Sequence, residues 1–435
     1  MLTPTPMNEA SLHGSVSAPG QSRRWRRRLL LGLVCGVAIL GAGWFLLKPW
    51  LMPRLQLWQH TREVRSELKN FHNPQALRHL KECMRQWPDD PELLLLAAQA
   101  ERRALHYAEA ERLLERYQKA RGLDEAYSFE QLLLAAERGV DRVADQCWRY
   151  IENGHDDSVL ILEALTRGYS RQYQLGGARK CLDRWLQMQP DNAQAHYLNG
   201  KYQLDYSHKA ERAGESFRRA FELDPEHEDA RISLAVTLLE SHDRPNLAEA
   251  VKHLEWVRER QPDNFSVLVG LAEAQNELGQ QAEAVKIVDS VLAERPNFAP
   301  ALALRGRLAA DQGQFAEAET WLRQALVGDP NNYVVRARLV QCLLNNDKQE
   351  EGRRLEEESK QILEDLGRYD QIVTRDLVAS PRSVALMCEL GQVLLRLGRR
   401  DEGARWLERA LHEDPQYAPA RRALTEYQNK GQTKP

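Results

Sequence analysis

A register that returns every 34 residues constrains this chain more than any other feature. From Asn264 to Asn331 two segments of that length follow each other with nothing inserted, and each reads helix, turn, helix, stop. In the first, Leu268, Leu271, Ala272 and Gln275 fall at helical spacing, Gly279 breaks the run, Ala282–Glu294 makes a second amphipathic stretch, and Pro296 ends it. The second repeats this with Leu302, Gly306, Ala309, Gly313, Ala318, Leu322, Ala325 and Pro330. One position, early in the second helix, carries a small residue throughout: Ala76, Ala110, Ala144, Ala178, Ala213, Ala250, Ala284, Ala318, Gly352 and Gly403. Two antiparallel helices joined by a short turn approach closely only where neither presents a bulky side chain, which gives the ladder its physical cause.

A chain of 435 residues, 43% apolar and 28% charged, is too long for one compact core, yet its composition does not break between residues 55 and 430. A solenoid resolves this, because each repeat buries its apolar face on its neighbours. The 34-residue period with this pattern resembles the tetratricopeptide repeat over about residues 55–430. The resemblance implies an all-α fold, a TPR-like α-solenoid that is a right-handed superhelix of helix-turn-helix pairs. About ten pairs are expected over 55–417: 55–70 with 74–87, then 91–121, 125–155, 158–189, 193–224, 228–261, 265–295, 299–329, 333–363 and 383–414. A capping helix follows at Ala418–Asn429, with a tail at 430–435. Ser241–Asn246 lengthens one turn. Between Lys348 and Ser380, Leu355, Ile362, Leu366, Tyr369 and Val373 keep a helical stripe, so an extended helix is expected over about 348–378, either packed on its neighbours or projecting as an arm.

The N-terminal end reads differently. Residues 1–28 hold five arginines against one glutamate, and 1–22 are rich in Ser, Pro, Thr and Gly, a disordered basic tail. Leu29–Leu47 is nineteen residues without a charge, long enough as a helix to cross the roughly 30 Å hydrocarbon layer. Trp25 stands on one side, Trp44 and Trp50 on the other. The apolar core of a cleaved signal peptide is shorter, about 7–15 residues, so the stretch reads as a transmembrane signal anchor followed by a neck at 48–54. The arginines before the span put the N-terminus in the cytoplasm and the repeats in the periplasm of a bacterial inner membrane.

Chemistry is sparse. The six cysteines form no CxxC pair and no cluster with metal spacing, and no nucleophile motif, phosphate loop or dinucleotide fingerprint occurs. No enzyme activity, cofactor or metal is expected. His155-Asp156-Asp157 and His227-Glu228-Asp229 fall at turns between pairs, where the aspartates are expected to cap the next helix. Asn264-Phe265-Ser266 matches the glycosylation sequon, but Asn264 stands where an N-cap is needed. Outside the basic tail the chain is mildly acidic, which argues against nucleic acid.

In the family that the repeats resemble, the first helices line a concave groove. Carried onto this chain, one row of that face gives Gln99, Leu133, Arg167, Glu273, Arg307, Gln341 and Gln392, with Lys201 one residue out of step and Arg103, Arg171 and Arg396 one turn further along. Their long polar side chains suit an extended peptide and its carboxylates. The expected partners are proteins or peptides, with the membrane engaged through Leu29–Leu47. The layout is similar to bacterial envelope-biogenesis adaptors, implying a membrane-anchored scaffold or chaperone-like adaptor in envelope assembly. Two other readings stand beside it: the substrate-selecting subunit of a glycosyltransferase or cytochrome-maturation complex, and a cytoplasm-facing regulator.

Overall fold

The computed structural model describes residues 52, 54–139, 143–207, 210–240 and 243–432. The span at Leu29–Leu47 and the basic tail lie outside the described residues. Among those described, no helix is long and apolar enough to cross a membrane.

Ten helical pairs follow one another along the described residues. They are α1 (54–69) with α2 (Asn73–Gln86), α3 (Pro91–Arg103) with α4 (Tyr107–Arg121), α5 (Glu125–Arg138) with α6 (Ala144–Glu152), α7 (Ser158–Arg171) with α8 (Leu175–Met188), and α9 (Ala193–Ser207) with α10 (Ala210–Leu223). Then come α11 (Glu228–Leu239) with α12 (Arg244–Arg260), α13 (Phe265–Glu277) with α14 (Gln281–Glu294), α15 (Ala299–Asp311) with α16 (Phe315–Gly328), α17 (Tyr333–Asn345) with α18 (Gln349–Gln371), and α20 (Val384–Arg396) with α21 (Arg400–Glu413). A π-helical turn, Ile372–Asp376, and the short α19 (Leu377–Ala379) extend α18, and α22 (Ala418–Gln432) closes the array.

The small-residue ladder is the seam inside each pair. Ala76, Ala110, Ala178, Ala213, Ala250, Ala284 and Ala318 are fully buried, and Gly352 and Gly403 are buried too. Ala144, the first residue of the short α6, is half-buried. In the last pair the backbones nearly touch, since a Cβ on Gly403 would lie 2.7 Å from the Gly391 carbonyl oxygen. First helices start on side-chain caps in several pairs: Asp90, Asp124, Asn264, Asn332 and Ser383 each accept from the backbone N–H three residues on.

In seven of the pairs the described turn holds one residue at positive φ. Gly279, Gly313 and Gly398 supply it without strain, whereas Phe71, Leu105, Tyr173 and Asp347 adopt it at φ of 55–66° despite their side chains. Two of these strained residues are aromatic, and both reach beyond their own repeat. The Phe71 ring lies 5.8 Å from that of Trp185, and the Tyr173 ring 4.2 Å from that of Trp406. Beside Phe71, His72 bonds Asp224 at 2.6 Å, Gln75 donates to the Glu226 carbonyl at 2.9 Å, and Arg78 holds Glu228 bidentately at 2.6 and 3.1 Å. The first pair thus meets the junction of the fifth and sixth, and the fourth pair meets the tenth. The solenoid coils back onto itself.

The long α18 does not project as an arm. Its extra turns lie along α20, where Ile362 packs with Val393 and Leu397, Arg368 bonds both carboxylate oxygens of Glu389, and Asp365 receives Arg396.

Candidate functional site

The row expected to form the groove is divided. In its early half the side chains are spent on one another. Arg103 is buried, donates to Glu163 at 3.0 Å and to the Leu68 carbonyl at 2.6 Å, and lies over the Phe71 ring. Arg167 donates to the Arg103 carbonyl at 2.9 Å and to Glu163 at 3.2 Å. Gln194 reaches the same carboxylate at 3.0 Å, and the fully buried Arg102 bridges Glu130 and Glu137. The expectation that Arg103 faces an incoming peptide is corrected: its guanidinium ties the α1 C-terminus to α7.

Charge balance keeps Arg102 and Glu163 ionic within this cluster. Burial opposes the charge on Arg102, but Glu130 and Glu137 outweigh it and hold the guanidinium above its usual range. Burial likewise works against ionised Glu163, yet Arg103, Arg167 and Arg102 keep its carboxyl below the usual value. Glu137 goes the other way, raised by burial that Arg102 and Arg167 do not offset.

The later half of the row is more open. Arg307 and Glu273 face each other at 2.9 Å, with Glu277 at 3.8 Å from the same guanidinium, and the Arg307 Nε and Nη2 are buried without a hydrogen-bond acceptor. Gln341 is exposed and lines a shallow depression with Phe315, Tyr333 and Arg338. The remaining candidates are apart from these. Gln99 borders a depression beside Phe129 and His155, Lys201 pairs with Asp205 on its own helix, Arg171 rests on the Tyr107 ring, Gln392 is half-buried, and Arg396 is committed to Asp365.

Both histidine turns differ from expectation. Asp157 makes no side-chain cap, and at the other turn the cap is His227 itself: its Nδ1 accepts from the Ala230 N–H, which leaves Nε2–H to donate to Gln194 at 2.7 Å. Burial holds this imidazole neutral by lowering its pKa. Glu228, buried beside it, is the partner of Arg78. The five described cysteines are buried and free, the Cys147 and Cys181 thiols pushed up by burial to about 11 and about 12, so neither is a nucleophile at neutral pH.

Sequence reasoning missed the contacts between superhelical turns, formed by Phe71, His72, Arg78, Tyr173, Trp185, Asp224 and Trp406. One signal was available: Phe71 and Tyr173 occupy the register where Gly279, Gly313 and Gly398 stand.

Two family models match parts of the chain. Residues 181–297 match the tetratricopeptide-repeat domain of cytochrome c-type biogenesis protein H, and residues 282–333 and 366–418 match the tetratricopeptide repeat. Cellulose synthase operon protein C of Pseudomonas fluorescens is 32% identical over 157 residues, covering 33% of this chain and only 12% of that relative's length. Among solved structures, PilW, described as a type IV pilus biogenesis factor, is 17% identical with a TM-score of 0.40, over 46% of this chain and 90% of that one. A tetratricopeptide repeat protein from Parabacteroides merdae is 17% identical with a TM-score of 0.34, over 66% and 98%.

Proposed function

We propose, from the premise that this chain is a tetratricopeptide-repeat protein, that it is a membrane-anchored scaffold or chaperone-like adaptor in assembly of a bacterial cell envelope. Its span, Leu29–Leu47, holds it in the inner membrane, and its solenoid works in the periplasm. The observation that carries the reading is the uneven first-helix row. Arg103 and Arg167 are bonded to Glu163 and to backbone carbonyls, while Arg307, though paired with Glu273, keeps two nitrogens without an acceptor, and Gln341 is exposed. The Arg307 nitrogens without acceptors favour a partner that brings a carbonyl or carboxylate.

A second reading makes the solenoid the substrate-selecting subunit of an enzyme complex. It draws support from the two matched proteins, one of cytochrome c biogenesis and one of a cellulose synthase operon. Quantitative affinity purification separates the two. A scaffold returns several substoichiometric partners, whereas a subunit returns one catalytic partner in fixed ratio. The location is tested by an alkaline phosphatase reporter fused after Pro435, expected to be active; an inactive phosphatase reporter with an active cytoplasmic reporter at the same place contradicts a periplasmic solenoid.

A further inference from the structure

A cleft runs between the α7–α8 turn and the last helical pair. Its apolar end is a cavity of about 470 Å³ where Val373, Leu377, Met387 and Trp406 face Tyr173. Its other end, reached past Gln174 and Arg409, is a cavity of about 310 Å³ lined by Arg138, Arg171 and Arg405 with Glu408. Arg138 is paired with Glu111, and Arg409 with Glu413. Arg171 and Arg405 instead lie against the rings of Tyr107 and Tyr173, at 4.9 and 6.0 Å, and meet no carboxylate among the described residues. The Nε atoms of Arg405 and Arg409 are buried with no acceptor. Buried donors without partners are rare, and of the four arginines around this recess Arg171 and Arg405 have only the single carboxylate of Glu408 to balance them, a local excess of positive charge.

Two further features belong to the same place. Tyr173 holds a left-handed backbone where other pairs use glycine, and the opposite wall includes the π-helical turn Ile372–Asp376. The π-helical turn breaks the regular repeat at the wall that Tyr173 faces.

We propose that this cleft is a peptide-binding site separate from the first-helix row. It takes an extended segment whose carboxylate sits among Arg171, Arg405 and Arg409, and whose neighbouring bulky apolar side chain enters the cavity of Met387 and Trp406. The arginines present forked donors suited to a planar carboxylate, and aliphatic and aromatic walls suit a side chain. A nucleotide fits worse, because Tyr173 and Trp406 pack on each other and leave no slot between their rings for a base. The carboxylate comes from an Asp or Glu side chain or from a chain terminus. The inference rests on the reading of the chain as a protein-binding scaffold and assigns a second place where a partner is held.

The test uses the full chain in detergent and dye-labelled hexapeptides followed by fluorescence anisotropy. One peptide ends in phenylalanine with a free carboxylate; a second carries aspartate beside phenylalanine and an amidated end; a third carries phenylalanine, an amidated end and no acid. At least one of the first two is expected to bind, and the comparison identifies the source of the carboxylate. The third is expected to bind at least about tenfold more weakly, as is the best peptide with Arg171→Gln plus Arg405→Gln. Tyr173→Gly, which removes the ring and relieves the backbone, reports on the apolar end and is expected to weaken binding as well, with thermal melting of the variant checking that the fold outlasts the loss of the Trp406 contact. Equal binding of the third peptide, full binding by the double arginine variant, or no binding of any peptide up to about 1 mM overturns the proposal. So does displacement of the peptide by inorganic phosphate at equal concentration, which marks a general anion site. Loss of binding on Glu273→Gln plus Arg307→Gln, with the arginine variant unaffected, puts the peptide in the first-helix row: the cleft fails while the scaffold reading survives. Partner capture by affinity purification tests that reading independently.

Discussion

Glu163 answers to Arg103, Arg167 and Gln194 at once, and with no exposed surface it has no water to fall back on. Removing one member of a buried ionic group leaves the others uncompensated, so Glu163→Ala is expected to cost about 3–5 kcal/mol in urea unfolding, and Glu163→Gln less because the amide still accepts hydrogen bonds. At Tyr173 two effects oppose each other, the strain of a left-handed backbone and the contact with Trp406. Tyr173→Ala loses the contact and keeps the strain; Tyr173→Gly loses both. The glycine variant should therefore be the more stable of the two by about 1–2 kcal/mol, measured as the difference between their unfolding free energies. At this scale the sequence was partly legible. The aromatic at a glycine register was visible, but Arg103 and Glu163 stand 60 residues apart on different pairs, and nothing local marks them as partners.

The helical pair is the level at which the sequence spoke most clearly, because the ladder of small residues arises from contact between helices adjacent in the chain. Its tightest rung is Gly403 against Gly391, where a Cβ would strike backbone that has no room to yield. Gly403→Val is expected to destabilise by about 1–3 kcal/mol through overpacking. On α18, by contrast, Gly367 is exposed and a Cβ there meets nothing within 4 Å, so Gly367→Ala should stabilise by up to about 1 kcal/mol. Thermal melting of the two variants side by side checks both signs. The length of α18 was readable from its apolar stripe; that the stripe lies along α20 was not, since the stripe gives a face without naming what covers it.

For the whole molecule the decisive contacts join superhelical turns, and beyond the aromatics at the glycine register nothing in the sequence marks them: His72 and Asp224 are 152 residues apart. Their bond is also the pH-sensitive part of the closure. The hydrogen bond to Asp224 raises the His72 pKa above its ordinary value against the cost of burial, with Glu67 adding to the effect. A raised folded-state pKa gives stability that is fully present below the unfolded value of about 6.5 and is lost as pH rises through the folded value. Asp224 loses its share only in acid, as pH falls through its lowered folded value. Stability from this latch should thus fall as pH rises above about 6.5 and through the raised folded value, and His72→Gln should remove that part of the pH dependence. Comparing melting curves of the chain and the variant isolates it from His227 and His253, whose lowered values act in the opposite direction.

The central claim is that the open half of the first-helix row receives protein partners. Photo-crosslinking amino acids placed at Arg307 and Gln341 in living cells test it most directly, with exposed Lys286 on the second helix of its pair as control. The account predicts that defined proteins are captured from Arg307 and Gln341 and not from Lys286; capture from Lys286 with none from the other two positions contradicts it.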